Sequence, residues 1–290
     1  MSSGATSAVT SGATSIGTVG LLHPGAMGAT VGAACRADVI WCRDDRSAAT
    51  GARAEAAGLR AVGRLEELVE RSDLIVSVCP PAEAVRVADE VAATGYRGPY
   101  VDANAIAPST ARRIAERFDR FVDGGIVGPP AERPGTTRLY LSGDDAGIDR
   151  IAALWADTAL DAVTIDGGPG AASALKMAYA TWTKVSSALL LDVRALARAE
   201  GVEQALLREW GLSQPGTTER SARTAAGVAP KAWRFMGEMD EIARSFRDAG
   251  LPAEFADGAG RVYERLSTFK DDPDVTLDAV LRALLEAPTR

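Results

Sequence analysis

The stretch that decides the fold is TVGLLHPGAMGATVGAA, residues 18–34. An apolar run of strand length leads into the turn His23-Pro24-Gly25-Ala26-Met27-Gly28, and a helix of small residues follows. Glycine at position 25 lets backbone approach a pyrophosphate, and glycine at position 28 lets the helix pack on the strand. The first N–H groups of the helix attract an anion. A strand before the turn and a helix after it predict a dinucleotide-binding turn.

His23 stands where the usual G-x-G-x-x-G motif has its first glycine. Two interpretations are open. Either the turn needs no positive φ at this position and tolerates a histidine, or the His23 ring hydrogen-bonds a cofactor phosphate. General-base catalysis is less favoured, because this turn is expected to face the pyrophosphate and not the reacting carbon.

Cofactor choice depends on the end of the second predicted strand, WCRDDRS (41–47). Arg43 and Arg46 suit the 2′-phosphate of NADP, whereas Asp44 or Asp45 would accept a hydrogen bond from the ribose 2′-hydroxyl of NAD. We predict NADP, with NAD as the alternative. The alternative for both arginines is that they are solvated loop charges.

Short apolar segments alternate with helical patterns from this turn as far as Ile165, which predicts a doubly wound, mainly parallel sheet of the Rossmann type. Strands are predicted at 16–22, 38–42, 74–79, 99–103, 120–127, 138–143 and 162–166, and helices at 26–37, 46–57, 65–71, 82–94, 109–117 and 145–158. After Gly168 only helical patterns follow, including a long apolar helix over 174–199. We therefore predict a flexible leader (1–15), a Rossmann NAD(P)-binding domain (16–167) and an all-α substrate and dimerisation domain (168–290). The long central helix is expected to be buried partly against a second subunit.

The composition of the 290-residue chain excludes several functional classes. A net charge of −7 is evidence against a broad nucleic-acid surface. A single histidine excludes most chemistry that needs several imidazoles, and three cysteines without a C-x-x-C pair indicate neither a disulfide framework nor a zinc site. No segment approaches the roughly 20 apolar residues of a membrane span. We expect a cytoplasmic protein that binds no metal and no membrane.

Several segments, taken in order, resemble the β-hydroxyacid dehydrogenase superfamily, which includes 3-hydroxyisobutyrate dehydrogenases, 6-phosphogluconate dehydrogenases and imine reductases. They are TVGLLHPGAMG (18–28), VCPP (78–81), VDANAIAP (101–108), VDGGIVGPP (122–130) and GAASALKMAYATWTK (170–184). The last of these and GEMDEIARSF (237–246) are most similar to a 6-phosphogluconate dehydrogenase-like branch. The resemblance implies a Rossmann domain that binds NAD(P), a helical domain that forms a homodimer around its long helix, and an active site between the two.

The resemblance also implies roles for particular residues. Cys79, Pro80 and Pro81 match the loop that passes the nicotinamide ribose, and Asn104 matches a D-x-N loop that contacts cofactor and substrate. In the segment that grips the substrate, where the family has S-G-G, this chain has Val127, Gly128 and Pro129. Lys176 falls where family dehydrogenases place the catalytic lysine.

The chemistry of Lys176 can also be argued from the helix itself. Positions 176, 179, 183 and 187 share one face of a helix, so Lys176, Tyr179, Thr183 and Ser187 form a polar stripe among apolar residues. Buried polar groups need partners, which a substrate cleft provides, and a desolvated lysine has a lowered pKa. We predict that Lys176 is catalytic, with a structural ion pair as the alternative. Tyr179 either donates to the substrate oxygen or fills space.

The chain departs from the family pattern at two further places, both in the helical domain. The asparagine after the lysine is replaced by Tyr179 and Ala180, and a later Lys-Asp pair by Glu238 and Met239. Loss of this cation favours a substrate that carries a different group at that end, and Glu238 is a candidate contact for an amino group.

We predict an NADP-preferring oxidoreductase acting on a small hydroxy acid or β-hydroxy-α-amino acid, with Lys176 as the proton relay. Thr183 is counted among the substrate contacts. An NADPH-dependent imine reductase is the first alternative, and a non-catalytic NADP-binding sensor or scaffold is the second.

Overall fold

The protein is described here by a computed structural model that covers residues 16–286. The predicted leader over residues 1–15 lies outside the described residues. Within residues 16–286, no helix is long and apolar enough to cross a membrane.

Eight strands form one sheet in the order β3-β2-β1-β4-β5-β6-β7-β8. Neighbouring strands are parallel except for β6 and β7, which form an antiparallel hairpin. This is the doubly wound Rossmann arrangement, and it confirms the predicted fold class. The strands are β1 (Thr18–Leu22), β2 (Asp38–Cys42), β3 (Arg60–Val62), β4 (Leu74–Ser77), β5 (Tyr100–Asp102), β6 (Phe121–Val127), β7 (Thr137–Ser142) and β8 (Leu160–Thr164).

Both faces of the sheet are covered, because successive side chains of a strand point to opposite faces. Val101 and Val122 belong to one buried cluster, whereas Tyr100 and Phe121 belong to the cluster on the other face. The helices of this half are α1 (Ala26–Ala33), α2 (Ala48–Ala56), α3 (Leu65–Arg71), α4 (Ala84–Ala93), α5 (Pro108–Ala115) and α6 (Ile148–Ala152).

The second half is all helical, as predicted, and has its own core. Met177, Ile242 and Tyr263 are among its fully buried residues. The helices are α7 (Ala171–Ala180), α8 (Ser186–Ala199), α9 (Glu203–Ser213), α10 (Thr217–Val228), α11 (Ala232–Asp248), α12 (Glu254–Leu266) and α13 (Leu277–Leu285). The sheet ends at Thr164 and α7 begins at Ala171, and the predicted division at residues 167/168 falls between them.

Three local predictions need correction. Strand β3 was not predicted, because it is a three-residue edge strand, RAV, with little apolar signal. The helix predicted over 145–158 is only α6 followed by a 3₁₀ turn, Ala153–Trp155. The long helix predicted over 174–199 is interrupted by a π-helical turn over Thr181–Val185, which separates α7 from α8. This third difference changes which residues face the site.

Candidate active site

The phosphate turn, residues 23–28, joins β1 to α1 and is shaped by close backbone contacts. His23 has φ +64°, in the left-handed region where glycine is usual, so the interpretation that the turn needs no positive φ here is wrong. A Cβ on Gly28 would lie 2.6 Å from the carbonyl oxygen of His23, so only glycine fits there. A Cβ on Gly25 would meet nothing within 4 Å. The turn is therefore tight at Gly28 and open at Gly25.

The groups around this turn are suited to an anion. Helix α1 begins at Ala26 without a side-chain cap, so its first N–H groups, those of Ala26 and Met27, point out of the turn. The Nδ1 atom of His23 is buried without a hydrogen-bond partner in the described part of the chain. Burial, followed by the positive charges of Arg46 and Arg86, lowers the pKa of His23 to about 4. The ring is therefore neutral at physiological pH, and Arg46 supplies positive charge near the turn, whereas Arg86 is paired with Glu83 and Glu90.

A pocket lies after β2, at the position predicted to select the cofactor. It has a volume of about 390 Å³ and is lined by Trp41, Arg43, Arg46, Ser47, Ala48, Gly51, Ala52 and Glu55. The Nε atom of Arg46 is buried, and no hydrogen-bond acceptor reaches it from residues 16–286. Asp44 and Asp45 are not among the lining residues. The two arginines and not the two aspartates therefore line this pocket.

Asn104 joins the carboxyl ends of β4 and β5. Its Oδ1 accepts from the backbone N–H of Cys79 at 2.5 Å, and its Nδ2 donates to Ser77 Oγ at 3.1 Å and to Asp102 Oδ2 at 2.9 Å. The residue is 2% exposed, and both hydrogens of its amide are used inside the protein. Asn104 therefore fixes the loop that carries Cys79, Pro80 and Pro81.

Charged and reactive groups beneath this loop are buried. Burial, followed by the charge of Asp102, raises the pKa of the Cys79 thiol to about 12, so the thiol stays protonated. Burial also raises the pKa of Asp102 to about 7, against the bonds that it accepts from Asn104. Pro80 and Pro81 lead into a 3₁₀ turn, Pro81–Glu83, which packs against α11. The loop is thus held by its hydrogen bond to Asn104 and is in contact with the helical domain.

Lys176 lies over strand β6. A Cβ on Gly125 would be 3.1 Å from Lys176 Cβ and 2.6 Å from the carbonyl oxygen of Ala172, so α7 packs directly on the strand where Gly125 stands. Lys176 is partly buried. Burial, followed by the positive charge of Lys184, lowers the pKa of Lys176 to about 8, against the opposing effect of Glu238. A lysine with this pKa exchanges a proton readily near neutral pH.

Asp123 fixes the start of α7, one turn before Lys176. Its carboxylate accepts from the N–H groups of Gly170 at 3.0 Å and Ser173 at 2.8 Å, and from Ser173 Oγ at 2.6 Å. Ser142 Oγ, on β7, donates to Asp123 at 3.3 Å and accepts from the N–H of Ala172 at 2.9 Å. Burial raises the pKa of Asp123, against these hydrogen bonds. The carboxylate thus acts as the helix cap, and sequence reasoning missed it.

Glu241 makes a second contact between the two halves. It accepts from the N–H of Ala107 at 2.6 Å and from Thr110 Oγ1 at 3.0 Å, both at the beginning of α5. A buried carboxylate at a helix N-terminus is stabilised by the free N–H groups and the helix dipole. Helix α11 is therefore tied to the loop that follows Asn104.

The other predicted substrate residues have different surroundings. Val127 is buried, and Gly128 has φ +128° with a Cβ position 2.4 Å from the carbonyl oxygen of Thr136, so its glycine is required by the β6–β7 hairpin. The carbonyl oxygen of Pro129 accepts from Thr137 Oγ1 at 2.6 Å in the same hairpin. Tyr179 is 47% exposed, and Thr183 Oγ1 donates to the carbonyl oxygen of Tyr179 at 3.1 Å. The polar stripe predicted along one face is interrupted by the π turn.

The π turn carries Lys184, whose positive charge acts on Lys176. Lys184 Nζ lies 2.9 Å from a carboxylate oxygen of Glu238, as an ion pair without the angles of a hydrogen bond. Both Lys184 and Glu238 act on the charge of Lys176. These three residues are called the lysine cluster below. Lys184, in the π turn, thus places a cation beside Glu238 of α11.

Comparison of the sequence with known proteins finds a family match in the helical domain and a curated relative. Residues 197–266 match a family described as a domain of unknown function, DUF1932. A curated relative, described as an uncharacterized 28.5 kDa protein in the 7S RNA 5′ region of Methanothermus fervidus, is 29% identical over 174 residues. The match covers 59% of this chain and 66% of the relative, so the chain spans about two thirds of the relative's length.

Solved structures with the same fold include dehydrogenases and reductases. A conserved protein of unknown function, with a described similarity to 3-hydroxyacid dehydrogenases, is 25% identical with a TM-score of 0.65, over 87% of this chain and 97% of that one. The 3-hydroxyisobutyrate dehydrogenase of Mycobacterium tuberculosis, solved with L-serine, is 18% identical with a TM-score of 0.68, over 93% and 100%. A reductive aminase from Aspergillus terreus, solved with NADPH and ethyl-5-oxohexanoate, is 19% identical with a TM-score of 0.52, over 92% and 98%. The predicted resemblance to the β-hydroxyacid dehydrogenase superfamily is confirmed in the fold.

Proposed function

We propose that the protein is an NAD(P)-dependent oxidoreductase that transfers a hydride to or from the carbinol or carbonyl carbon of a small hydroxy acid or β-hydroxy-α-amino acid. NADP is the preferred cofactor and Lys176 is the proton relay. The observation that carries the proposal is the environment of Lys176. It is a partly buried lysine with a pKa lowered to about 8, packed over a glycine at the junction of the sheet and the helical domain.

The residues of the phosphate turn fit a dinucleotide. The open position beside Gly25 leaves room for a pyrophosphate, and the uncapped N–H groups of Ala26 and Met27 are donors for it. The unpartnered Nδ1 of His23 is a further polar group at this turn. When bound, the nicotinamide supplies the hydride donor or acceptor.

The preference for NADP rests on the pocket after β2. Two guanidinium groups, Arg43 and Arg46, line it, and one Nε atom there is buried without a partner within residues 16–286. Guanidinium groups suit a phosphate dianion, and Ser47 at the start of α2 adds a hydroxyl. Glu55 is the one acidic residue among the lining residues, and it stands near the far end of α2.

Lys176 performs the proton step in this proposal. Its protonated amine gives a proton to a carbonyl oxygen during reduction, and its neutral amine takes the proton from a hydroxyl during oxidation. Asn104 acts as a positioning residue, because its side chain holds the loop of Cys79, Pro80 and Pro81 through hydrogen bonds. Asp123 positions Lys176 by capping α7.

The direct test has two arms. The first measures the binding of NADPH and NADH by fluorescence and by thermal shift, and we expect NADPH to bind more tightly. The second follows absorbance of the reduced cofactor with 3-hydroxyisobutyrate, 3-hydroxypropionate and L-serine, beside a panel of cyclic imines. Turnover of imines alone would favour the imine reductase and contradict the dehydrogenase. Cofactor binding with no turnover of either panel would favour a sensor.

We also propose a homodimer formed through the helical domain. Trp182, Leu189 and Leu196 are 72%, 62% and 62% exposed, and the two leucines are seven residues apart on one face of α8. Large apolar side chains grouped in this way are typical of an interface. Light scattering after size-exclusion chromatography should give a dimer for the native chain and a monomer for Leu189→Glu. A native monomer would contradict the proposal.

A further inference from the structure

The π turn between α7 and α8 decides which residue faces Lys176. In an unbroken α-helix, position 183 lies on the face of position 176, and position 184 is rotated away by about 80°. The π turn over Thr181–Val185 adds one residue to the turn, which brings Lys184 onto the face of Lys176 instead. Single π turns of this kind are frequent at functional sites.

Lys184 is held by its neighbours in a largely enclosed position. Its side chain is 15% exposed and that of Glu238 is 16% exposed, with 2.9 Å between Nζ and the carboxylate. The ammonium group also lies 5.0 Å from the centre of the Phe235 ring, a favourable cation–π distance. The backbone carbonyl of Lys184 accepts from Tyr263 Oη at 2.6 Å, which fixes the turn independently of the side chain.

The charges of the lysine cluster do not balance. Lys184 and Glu238 form an ion pair, whereas no carboxylate within residues 16–286 lies at ion-pair distance from Lys176, although both charges act on it. Charges in an enclosed site are costly unless they are paired. An anionic group placed between the two amines would restore the balance. An amino group on the ligand would instead compete with Lys184 for Glu238.

On the basis of the proposed function, we propose that Lys184 determines substrate specificity by binding the carboxylate of the substrate, while Glu238 positions the Lys184 ammonium group. Glu238 is thus a partner of the protein's own lysine, not a contact for a substrate amine. In this arrangement Lys176 remains free for the proton step, because the second cation holds the substrate in place.

The test compares a carboxylate with its neutral counterpart. Binding of 3-hydroxyisobutyrate and of its methyl ester to the full-length protein saturated with NADPH is measured by isothermal titration calorimetry. The variants are Lys184→Met, Lys184→Arg and, as a control, Lys231→Met, which alters an exposed lysine. We expect Lys184→Met to weaken binding of the acid about 10- to 100-fold, because a charge-assisted hydrogen bond is lost. We expect the ester to bind equally weakly to the native protein and to Lys184→Met.

The Lys184→Arg variant distinguishes a role of Lys184 in binding from a purely structural role. Lys184→Arg keeps the charge and should retain most of the affinity for the acid, and Lys231→Met should leave it unchanged. Equal affinity of the native protein for acid and ester, no binding of either, or full affinity in Lys184→Met would each overturn the proposal. The proposed function fails separately: an acid that binds through Lys184 but exchanges no hydride would contradict the oxidoreductase and leave the role of Lys184 intact.

Discussion

The phosphate turn and the lysine cluster are both suited to anions, but they are assembled differently. The phosphate turn consists of six consecutive residues, and its decisive contact, between Gly28 and the carbonyl oxygen of His23, is local. The lysine cluster combines Lys176 on α7, Lys184 in the π turn and Glu238 on α11. A local turn can be recognised in the sequence, whereas a cluster built across elements depends on helix register and on packing between helices.

The largest expected effect is on the lysine cluster. Lys176→Met keeps the size of the side chain and removes the amine, so we expect kcat to fall by about 10²- to 10⁴-fold, the usual contribution of a positioned acid or base. NADPH affinity should stay within about twofold, because the phosphate turn is untouched. The melting temperature should not fall, because a desolvated lysine is replaced by an apolar side chain. Unchanged turnover in this variant would remove Lys176 from the mechanism.

The next largest effect is expected in the phosphate turn, where Gly28→Ala and Gly25→Ala should differ in stability and in NADPH affinity. Gly28→Ala places a Cβ against the His23 carbonyl, so it should lower the free energy of unfolding by about 1–3 kcal/mol, the cost of overpacking. Gly25→Ala is the matched control for stability, because its Cβ meets nothing within 4 Å and its φ is −68°. We expect Gly25→Ala to melt like the native protein and yet to bind NADPH less tightly. Equal NADPH affinity in Gly25→Ala and the native protein would show that the open position is not where the pyrophosphate binds.

The sheet and the phosphate turn could be predicted because their signals are short and local. Apolar runs such as DVIWC, residues 38–42, coincide with a strand, and the glycine spacing marks the turn. Asn104 was found by resemblance, but its role could not be predicted, because two of its three partners, Ser77 and Cys79, lie at the end of another strand. Asp123 and Glu241 were missed for the same reason: a carboxylate that caps a distant helix leaves no local pattern.

Lys184 was missed because helical spacing was counted through the π turn. A signal was present in the sequence: Thr181 and Thr183 stand in the interior of a helix, and their hydroxyls donate to the carbonyl oxygens of Met177 at 2.7 Å and Tyr179 at 3.1 Å. Such back-bonding competes with regular helix hydrogen bonds and often bends helices. Two threonines within three residues of a predicted helix therefore indicate a place where the register can change.

A smaller effect is expected in the cofactor pocket. Arg46→Ala removes one of two guanidinium groups, so NADPH affinity should fall about 10-fold, which corresponds to about 1.4 kcal/mol. NADH affinity should change less, and the ratio of the two dissociation constants, measured by fluorescence titration, is the decisive quantity. Arg53→Ala, on the same helix as the pocket but not among its lining residues, is the matched control. An equal loss for NADPH and NADH would mean that Arg46 contacts the pyrophosphate and not the 2′-phosphate.

The smallest expected effect is a shift in the pH profile of kcat/KM. This shift shows how the charges of Lys184 and Glu238 act on Lys176. With the pKa of Lys176 at about 8, the rate of oxidation should rise as the pH passes that value, because the neutral amine is the base, and the rate of reduction should fall. Lys184→Met removes a charge that lowers the pKa of Lys176 and leaves Glu238, which raises it, so the midpoint should move upward. In the double variant Lys184→Met with Glu238→Gln, Glu238 no longer raises the pKa of Lys176, and burial still lowers it. The midpoint of this variant should therefore lie below that of Lys184→Met. Profiles of kcat/KM that coincide for all three proteins would mean that the titrating group is not Lys176.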